Sequence, residues 1–207
     1  MNSQDITAPI RLLMSSGSEA HMADIRLLEP SIEYAGQIED FRNEVLEADA
    51  DCGDIFAGCF GMSDMTSGED WIRISRLLRD PATSMEAGAK VGEISYLAVR
   101  ESDDRLVGII CLRFHIDHPI LSVWGGHVGY TVRPSERRKG YATEMIRQVI
   151  GKARELRIPK ILITCDDTNT GSEKAILANG GVYEYSVDVD GANVKRFWID
   201  SGMQGSR

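Results

Sequence analysis

Residues 125–145, "GGHVGYTVRPSERRKGYATEM", carry the side chains whose types and order point most directly to chemistry. An alternating apolar run ends at Pro134, three cations follow at 137–139, and Gly140 then precedes a helical pattern. A helix that begins directly after a strand presents free backbone N–H groups, and these groups together with the helix dipole attract anions. The stretch therefore predicts an anion site at the start of a helix.

The small residues of this stretch indicate how closely an anion could approach. Gly140 and Ala142 lack bulk, and the cations before them add positive charge, so together they look like a cradle for a pyrophosphate. The alternative is a solvated helix start, which would more naturally carry Asp or Glu because cations there oppose the dipole. Neither G-x-x-x-x-G-K-[ST] nor G-x-G-x-x-G stands at a strand–helix turn, which argues against a P-loop or a Rossmann site.

The elements that must position this loop follow from the hydrophobic pattern. In the first part of the chain, "DIRLLEP" predicts a strand over 24–30, and Ser31 is a suitable N-cap for the helix after it. A loop over 49–68 and a second helix over 69–79 follow, and residues 81–93 have the composition of a linker. This part therefore predicts one strand and two helices.

The second part of the chain has a different pattern. Segments 93–101, 105–117 and 127–133 are rich in β-branched and aromatic residues and predict strands, while the apolar stripe over 142–156 predicts an amphipathic helix. A buried strand "KILITC", a helix that closes on glycine and a final hairpin around "DGAN" follow. The order predicts an α/β (α+β) fold in which a mixed sheet has helices on both faces.

The composition limits the classes of partner. The chain has 207 residues, a formal net charge of -9, 43% hydrophobic residues and 27% charged residues. These values predict one domain, over 23–203, after a flexible extension over 1–22. The acidic balance argues against nucleic acid as a partner, and the longest apolar run, 106–112, is too short to cross a membrane. A local anion site stays compatible with the acidic chain, because salt screens charges beyond about 10 Å.

The cysteines predict a reducing environment. None of the four pairs as C-x-x-C, so we expect reduced thiols in a cytoplasmic protein. A zinc site formed by Cys52, Cys59 and histidines is the alternative, but the usual ligand spacing is missing. We therefore expect no metal.

The loop resembles a known family. "VRPSERRKGYA" is similar to the acyl-CoA loop of the GNAT superfamily of N-acetyltransferases, whose pattern falls here on Val132, Pro134, Arg137, Gly140 and Ala142. Further on, "ITCDDTNTGSEKAILANGGVYE" looks like the next strand and helix of that family, with Asn169 at its Asn position. The amino-acid sequence of these segments is most similar to that of a subgroup of predicted bacterial acetyltransferases. The acyl-CoA core would cover about 94–187.

The resemblance implies a fold, a cosubstrate and a site. The sheet would be mostly antiparallel with one splayed parallel strand pair, and acetyl-CoA would lie in the gap with its pyrophosphate on the loop amides of Arg138 to Thr143. An amine, on a small molecule or a peptide, would attack the acetyl carbonyl directly. The residues that would contact the cosubstrate are Tyr130, Thr131, Val132, Arg137, Arg138, Lys139, Gly140, Tyr141, Ala142, Thr143, Asn169 and Ser172. A homodimer is one possible assembly.

The catalytic groups depart from the family's pattern. The Tyr that the family often places seven residues after the Asn is Ile176 here, so Ser172 is the suggested substitute as acid, with Tyr183 and Tyr185 as further options. The family's position for a base is Gly126, and His127 beside it is the candidate base.

Other polar groups stand just upstream. His115, Asp117 and His118 could line the acceptor side. The departures leave two alternatives open beside the acetyltransferase. One is an acyl-CoA-binding regulatory or sensor module with weak catalysis, and the other is a non-catalytic domain that binds a different phosphate ligand.

Overall fold

The computed structural model describes residues 24–50 and 55–202. The predicted extension over 1–22 and the two ends of the predicted domain, 23 and 203, lie outside the described residues. The strands are β1 (Ile25–Leu28), β2 (Glu93–Arg100), β3 (Arg105–Arg113), β4 (Val128–Val132), β5 (Lys160–Asp166), β6 (Val182–Val189) and β7 (Ala192–Asp200). The α-helices are α1 (Ala35–Ala48), α2 (Gly68–Leu77), α3 (Pro81–Glu86), α4 (Tyr141–Glu155) and α5 (Thr170–Ala178).

One mixed sheet organises these elements. Its strand order is β1-β2-β3-β4-β5-β7-β6. Every described neighbour pair is antiparallel except β4 and β5, whose parallel pairing has the single register position Val128↔Ile163. Beyond that position the two strands diverge, which confirms the predicted splayed parallel pair.

Helices cover both faces of the sheet, as the pattern predicts. Along β2, Tyr96 and Ala98 join the core that contains α4 and α5, whereas Leu97 and Val99 join the core that contains α1 and α2. Successive strand residues point to opposite faces, so a strand covered on both sides reads as a continuous apolar run. This is why "YLAV" is apolar throughout.

The segment that follows α1 packs on β4. At Gly58, where φ is +76°, an added Cβ would lie 2.0 Å from the carbonyl oxygen of Gly129, so only glycine permits this approach. The hydroxyl of Thr131 donates to the Ala57 carbonyl oxygen at 2.9 Å. The described part of this loop therefore covers the α1/α2 face of β4.

Three local predictions differ from the structure. Residues 81–93, interpreted as a linker, contain α3, because the Asp80 side chain accepts the Ala82 N–H and Pro81 suits the first helical position. A short π-helix at Leu121–Gly125 was not predicted. Ser31 precedes a 3₁₀-helix rather than α1, and its hydroxyl contacts Glu33 instead of capping a backbone N–H.

Candidate functional site

A cavity of about 820 Å³ opens where β4 and β5 diverge, between the first turns of α4 and α5. Predicted contact residues that line it are Tyr130, Thr131, Val132, Arg137, Arg138, Gly140, Tyr141, Ala142, Thr143, Asn169 and Ser172. Lys139 and His127 do not line it. The structure thus brings the loop and the start of α5, which are distant in sequence, to one space.

The start of α4 forms the anion cradle of this cavity. Gly140 is the N-cap, with a φ of +86°, a conformation that glycine adopts at no steric cost. The Glu144 N–H donates to the Gly140 carbonyl oxygen at 3.1 Å and begins the helical bonding, so the preceding amides, those of Tyr141 to Thr143, have no partner within the helix. Arg138 also has a positive φ, of 67°. The loop therefore forms a turn directly before the backbone N–H groups at the start of α4 that have no partner within the helix.

The cations of the loop have different surroundings. The Arg137 guanidinium donates to Asp49 at the end of α1 at 2.8 Å. The Lys139 ammonium donates at 2.8 Å to Glu136, whose side chain is buried. Burial raises the pKa of Glu136, but hydrogen bonds from Lys139 and Arg100 outweigh it, and the pKa is lowered overall. Lys139 therefore neutralises a buried carboxylate instead of facing the cavity.

Two hydroxyl groups meet inside the cavity. Tyr130 Oη lies 2.5 Å from Ser172 Oγ, and this hydrogen bond joins β4 to the first turn of α5. Burial raises the pKa of Tyr130 to about 12, while the hydrogen bond from Ser172 lowers it to a smaller extent. The phenol therefore stays protonated at neutral pH.

Asn169 connects the cavity to α5. It is the N-cap of this helix, and its Oδ1 accepts the Ser172 N–H at 3.0 Å. The capping bond uses the amide oxygen and leaves the amide nitrogen to donate to a ligand, since an Asn side chain has both groups. Asn169 can thus fix the helix start and contact a ligand at the same time.

His127 has surroundings that favour a structural role. It is 6% exposed, and its Nδ1 accepts the Leu162 N–H at 2.9 Å. Burial, with a smaller effect of the Arg113 charge, lowers the pKa of His127 to about 4. Its place outside the cavity and its bond to β5 argue against His127 as a base.

The other positions at which a catalytic group was considered also lie apart from the cavity lining. Ile176 is fully buried in the core between α5 and the sheet. At Gly126 an added Cβ would lie 2.7 Å from the Leu162 carbonyl oxygen, so this position has no room for a side chain. His115 and His118 each accept a nearby backbone N–H, from Asp117 and Ile120 respectively.

Several lining residues escaped prediction. Thr168, Thr170, Gly171, Lys174, Ala175 and Ala178 surround Asn169 in α5 or next to it, and Asp49, Ile55, Ala57 and Glu136 complete the lining. Gly171, Lys174, Ala175 and Ala178 follow from helix geometry, because residues three and four apart share a face, and Thr168 and Thr170 adjoin Asn169 in the chain. Asp49, Ile55 and Ala57 carry no local signal, since only the packing of α1 and the next segment on β4 brings them there.

Two kinds of feature are absent from the described ranges. No group of three or more His, Cys, Asp or Glu residues within 24–50 and 55–202 could hold a metal ion. In the same ranges no helix has the length and apolar character needed to span a membrane. Cys111 and Cys165 are free and buried, Cys59 is buried, and Cys52 lies outside the described residues.

Comparison with protein families gives a match over most of the chain. A family model described as "Acetyltransferase (GNAT) domain" matches residues 39–182. Among curated proteins, none matches the chain significantly.

Solved structures share the fold. The microcin C7 self-immunity acetyltransferase MccE, in complex with acetyl-CoA and AMP, is 16% identical with a TM-score of 0.59, over 86% of this chain and 92% of that one. The ribosomal-protein-S5-alanine acetyltransferase from Vibrio fischeri is 17% identical with a TM-score of 0.59, over 86% and 92%. A spermidine N-acetyltransferase, SpeG, from Vibrio cholerae is 16% identical with a TM-score of 0.53, over 86% and 95%.

Proposed function

Because the chain belongs to the GNAT family of acetyltransferases, we propose that it transfers the acetyl group of acetyl-CoA to a primary amine by direct attack. The observation that carries this proposal is the cavity between the diverging strands, which extends from the free amides of α4 to the hydroxyl pair at the start of α5. An elongated molecule with a pyrophosphate at one end and a thioester at the other suits such a space.

The cradle supports the binding of a pyrophosphate. The backbone N–H groups of Arg138 to Thr143 would donate hydrogen bonds to the phosphate oxygens, with the positive end of the helix dipole behind them. At Gly140 no other atom lies within 4 Å of the place that a Cβ would occupy, so the approach to the backbone is open. The guanidinium of Arg138 and the ammonium of Lys174 would add charge from two sides.

The gap between β4 and β5 supports the placement of the pantetheine arm. Residues Tyr130 to Val132 lie beyond the single position at which β4 pairs with β5, so the arm would extend along this strand edge. The amide nitrogen of Asn169 would hold the arm close to the thioester, and Ser172 would lie beside the sulfur. Holding the thioester in one orientation can supply several kcal/mol of the barrier reduction.

The reaction needs little from the protein beyond this positioning. The neutral amine would attack the acetyl carbonyl carbon, the C–S bond would break, and its electron pair would leave on sulfur. The amine nitrogen would release its extra proton to water. A thiol pKa near 8.5 makes the thiolate a tolerable leaving group near neutral pH.

The proposal defines the acceptor only as an amine, with a preference for a cationic one. The structures that share the fold include, by their names, enzymes for a ribosomal protein and for spermidine. The net charge of -9 favours a cationic amine through steering. Small-molecule and peptide amines both stay within the proposal.

Location and assembly are further parts of the proposal. The free, buried thiols of Cys111 and Cys165 suit the reducing cytoplasm. A homodimer would be supported by the outer strand β6, where Val182 is 68% and Tyr183 is 53% exposed. Analytical ultracentrifugation measures the assembly directly.

A second function is supported by specific observations. Ile176 is buried where the family often has a Tyr, and Gly126 has no room for a side chain where the family places a base. A regulatory module that binds an acyl-CoA with weak catalysis would tolerate both features. It would bind coenzyme A and show little turnover.

The experiment is a thiol-release assay with acetyl-CoA and chemically distinct amines, accompanied by calorimetry with coenzyme A. Acetyl transfer to at least one amine is expected. Tight binding without turnover across the panel would favour the regulatory module. Stronger binding of a nucleotide that lacks pantetheine would overturn both and favour a different phosphate ligand.

A further inference from the structure

We propose that Tyr130 and Ser172 form a catalytic donor pair, which stabilises negative charge on the sulfur of coenzyme A as the C–S bond breaks. This inference rests on the proposed function. It assigns a catalytic role to the side chain of Tyr130, whereas the proposed function uses Tyr130 only as part of the strand edge beside the pantetheine arm.

The geometry of the pair carries the inference. Tyr130 Oη and Ser172 Oγ are 2.5 Å apart, and both residues line the cavity at the divergence of β4 and β5. Two hydroxyl groups have two protons, and their mutual hydrogen bond uses one of them. Ser172 also hydrogen-bonds the Cys165 thiol, so the O–H that remains to donate to a ligand is that of Tyr130 when Tyr130 accepts the Ser172 proton. This O–H is polarised by its neighbour, because hydrogen bonds in a chain strengthen one another.

The surroundings of the pair make the donor effective. Ser172 is 7% exposed, and Tyr130 packs against the core between the sheet and α4. A donor in a site of low dielectric interacts more strongly with developing charge than a donor in water does. Burial raises the pKa of Tyr130 to about 12, so the pair keeps both protons over the range in which amines are neutral.

Other hydroxyl groups fit the role less well. Tyr183 is exposed on β6, outside the cavity lining, and its hydroxyl bonds to Ser186 at 3.0 Å. The Tyr185 ring lies under the Arg196 guanidinium, 4.6 Å from its carbon. The pair Tyr183–Ser186 therefore serves as a matched control, with the same two residue types at a different place.

The first test measures turnover. With an amine that the thiol-release assay identifies, Tyr130→Phe and Ser172→Ala should each lower kcat at least about tenfold, with little change in the KM for acetyl-CoA. The double variant should lose little more than the worse single variant, because the two groups act as one unit. Ser172→Thr should retain most of the activity, and Ser186→Ala, in the control pair, all of it.

The second test does not need turnover. A donor to sulfur lowers the pKa of the thiol of bound coenzyme A, which ultraviolet absorbance of the thiolate reports against ligand-free protein. The thiol pKa should be lower in the parent than in Tyr130→Phe by about one pH unit, which corresponds to a tenfold effect. The protein's own Cys111 and Cys165 interfere little, because burial raises their pKa values to about 12 and about 11.

The outcomes separate the donor pair from the proposed function. Parent-level kcat in Tyr130→Phe, an equal thiol pKa in both proteins, or a loss of coenzyme A affinity that parallels the loss of kcat would overturn the donor pair. If the parent acetylates no amine but the thiol pKa differs between the two proteins, the proposed function fails and the donor pair stands.

Discussion

At the scale of single residues, Asn169 combines a structural and a functional contact. Its Oδ1 caps α5 through the Ser172 N–H, and the same side chain lines the cavity. Loss of an N-cap costs about 1 kcal/mol, so Asn169→Ala would mix a loss of stability with a loss of activity. Asn169→Asp retains a capping oxygen, removes the amide donor and adds a negative charge, so it alters the contact to the ligand without the loss of the cap.

We expect Asn169→Asp to unfold at the same denaturant concentration as the parent and to acetylate at least about tenfold more slowly at saturating acetyl-CoA, since positioning is lost. His115→Ala, His118→Ala and His127→Asn should lower the rate less, on the same amine. Rates and chemical unfolding of all four variants provide the comparison. If one histidine variant lost all acetylation activity while Asn169→Asp remained active, that histidine would be identified as the base.

His127 predicts a pH dependence of stability. Its folded pKa of about 4 lies below the ordinary 6.5 of an unfolded histidine. Above 6.5 both states are neutral. As the pH falls towards 4, His127 binds a proton in the unfolded chain but not in the folded protein. The free energy of unfolding therefore decreases. Between about pH 7 and pH 5 this loss is about 2 kcal/mol.

The variant His127→Asn tests this, because its Oδ1 can accept the Leu162 N–H and does not titrate. Urea unfolding at both pH values should show a smaller pH-dependent loss in His127→Asn than in the parent. His115→Asn, at a half-exposed position, is the control and should follow the parent. Parallel curves for the parent and His127→Asn would contradict the assignment.

The sequence predicted which residues line the cavity better than the directions of their side chains. The loop motif placed Arg138, Gly140 and Thr143 at the cavity because a strand–turn–helix unit is a local structure. It could not show that Lys139 turns to Glu136, since the buried carboxylate is held by Arg100 from another strand. It also gave no means to see that Tyr130 reaches Ser172, because that contact joins residues 42 positions apart.

At the scale of elements, the conformation of Gly140 sets the start of α4. Its φ of +86° lies in the left-handed region, which costs other residues about 1–2 kcal/mol. We expect Gly140→Ala to lose about 1 kcal/mol of stability and to bind coenzyme A more weakly, because relief of the strain would turn the amides away. Gly140→Val, which adds bulk where the phosphate would lie, should abolish binding.

The control is Gly151→Ala in the middle of α4, where no other atom lies within 4 Å of the added Cβ. It should gain about 0.5–1 kcal/mol from helix propensity and leave binding unchanged. Urea unfolding and calorimetry measure the two effects separately. Parent-level affinity in Gly140→Val would show that the start of α4 is not the cradle.

Elements were predictable where a long periodic pattern or strong local chemistry marks them. The stripe of Met145, Ile146, Val149 and Ala153 is fully buried and places α4 on the sheet as expected. The parallel pairing of β4 and β5 followed, because the strand–helix–strand unit around α4 requires a parallel crossover. The helix α3 was missed although Asp80-Pro81 is a capping signal, since its six residues are too few to show a period. The π-helix at Leu121–Gly125 depends on tertiary bonds, among them the Thr164 hydroxyl to the Trp124 carbonyl oxygen.

At the scale of the whole molecule, the net charge of the chain is opposite in sign to the charge that would attract an anionic cosubstrate to the cavity. The net charge is -9, whereas in the cavity lining the cations Arg137, Arg138 and Lys174 outnumber the carboxylates Asp49 and Glu136. An anionic cosubstrate is therefore repelled at long range and attracted at contact. The long-range part is screened over about 10 Å at 0.1 M salt, while contacts within a partly closed cavity are screened less.

This opposition predicts how salt acts on the two rate constants of coenzyme A binding. Added salt should weaken the affinity by raising the dissociation rate, because the bound phosphates lose part of their attraction to the cradle. The association rate should stay level or rise, because salt also screens the repulsion from the acidic surface. Stopped-flow binding over a salt series measures both rates.

Pantetheine, which lacks the phosphates, is the matched ligand control and should show little salt dependence. Arg138→Gln and Lys174→Gln should each flatten the rise of the dissociation rate. If salt instead acts mainly by slowing association, attraction by the protein as a whole outweighs the local cradle, and the assignment of these cations to the phosphates is wrong.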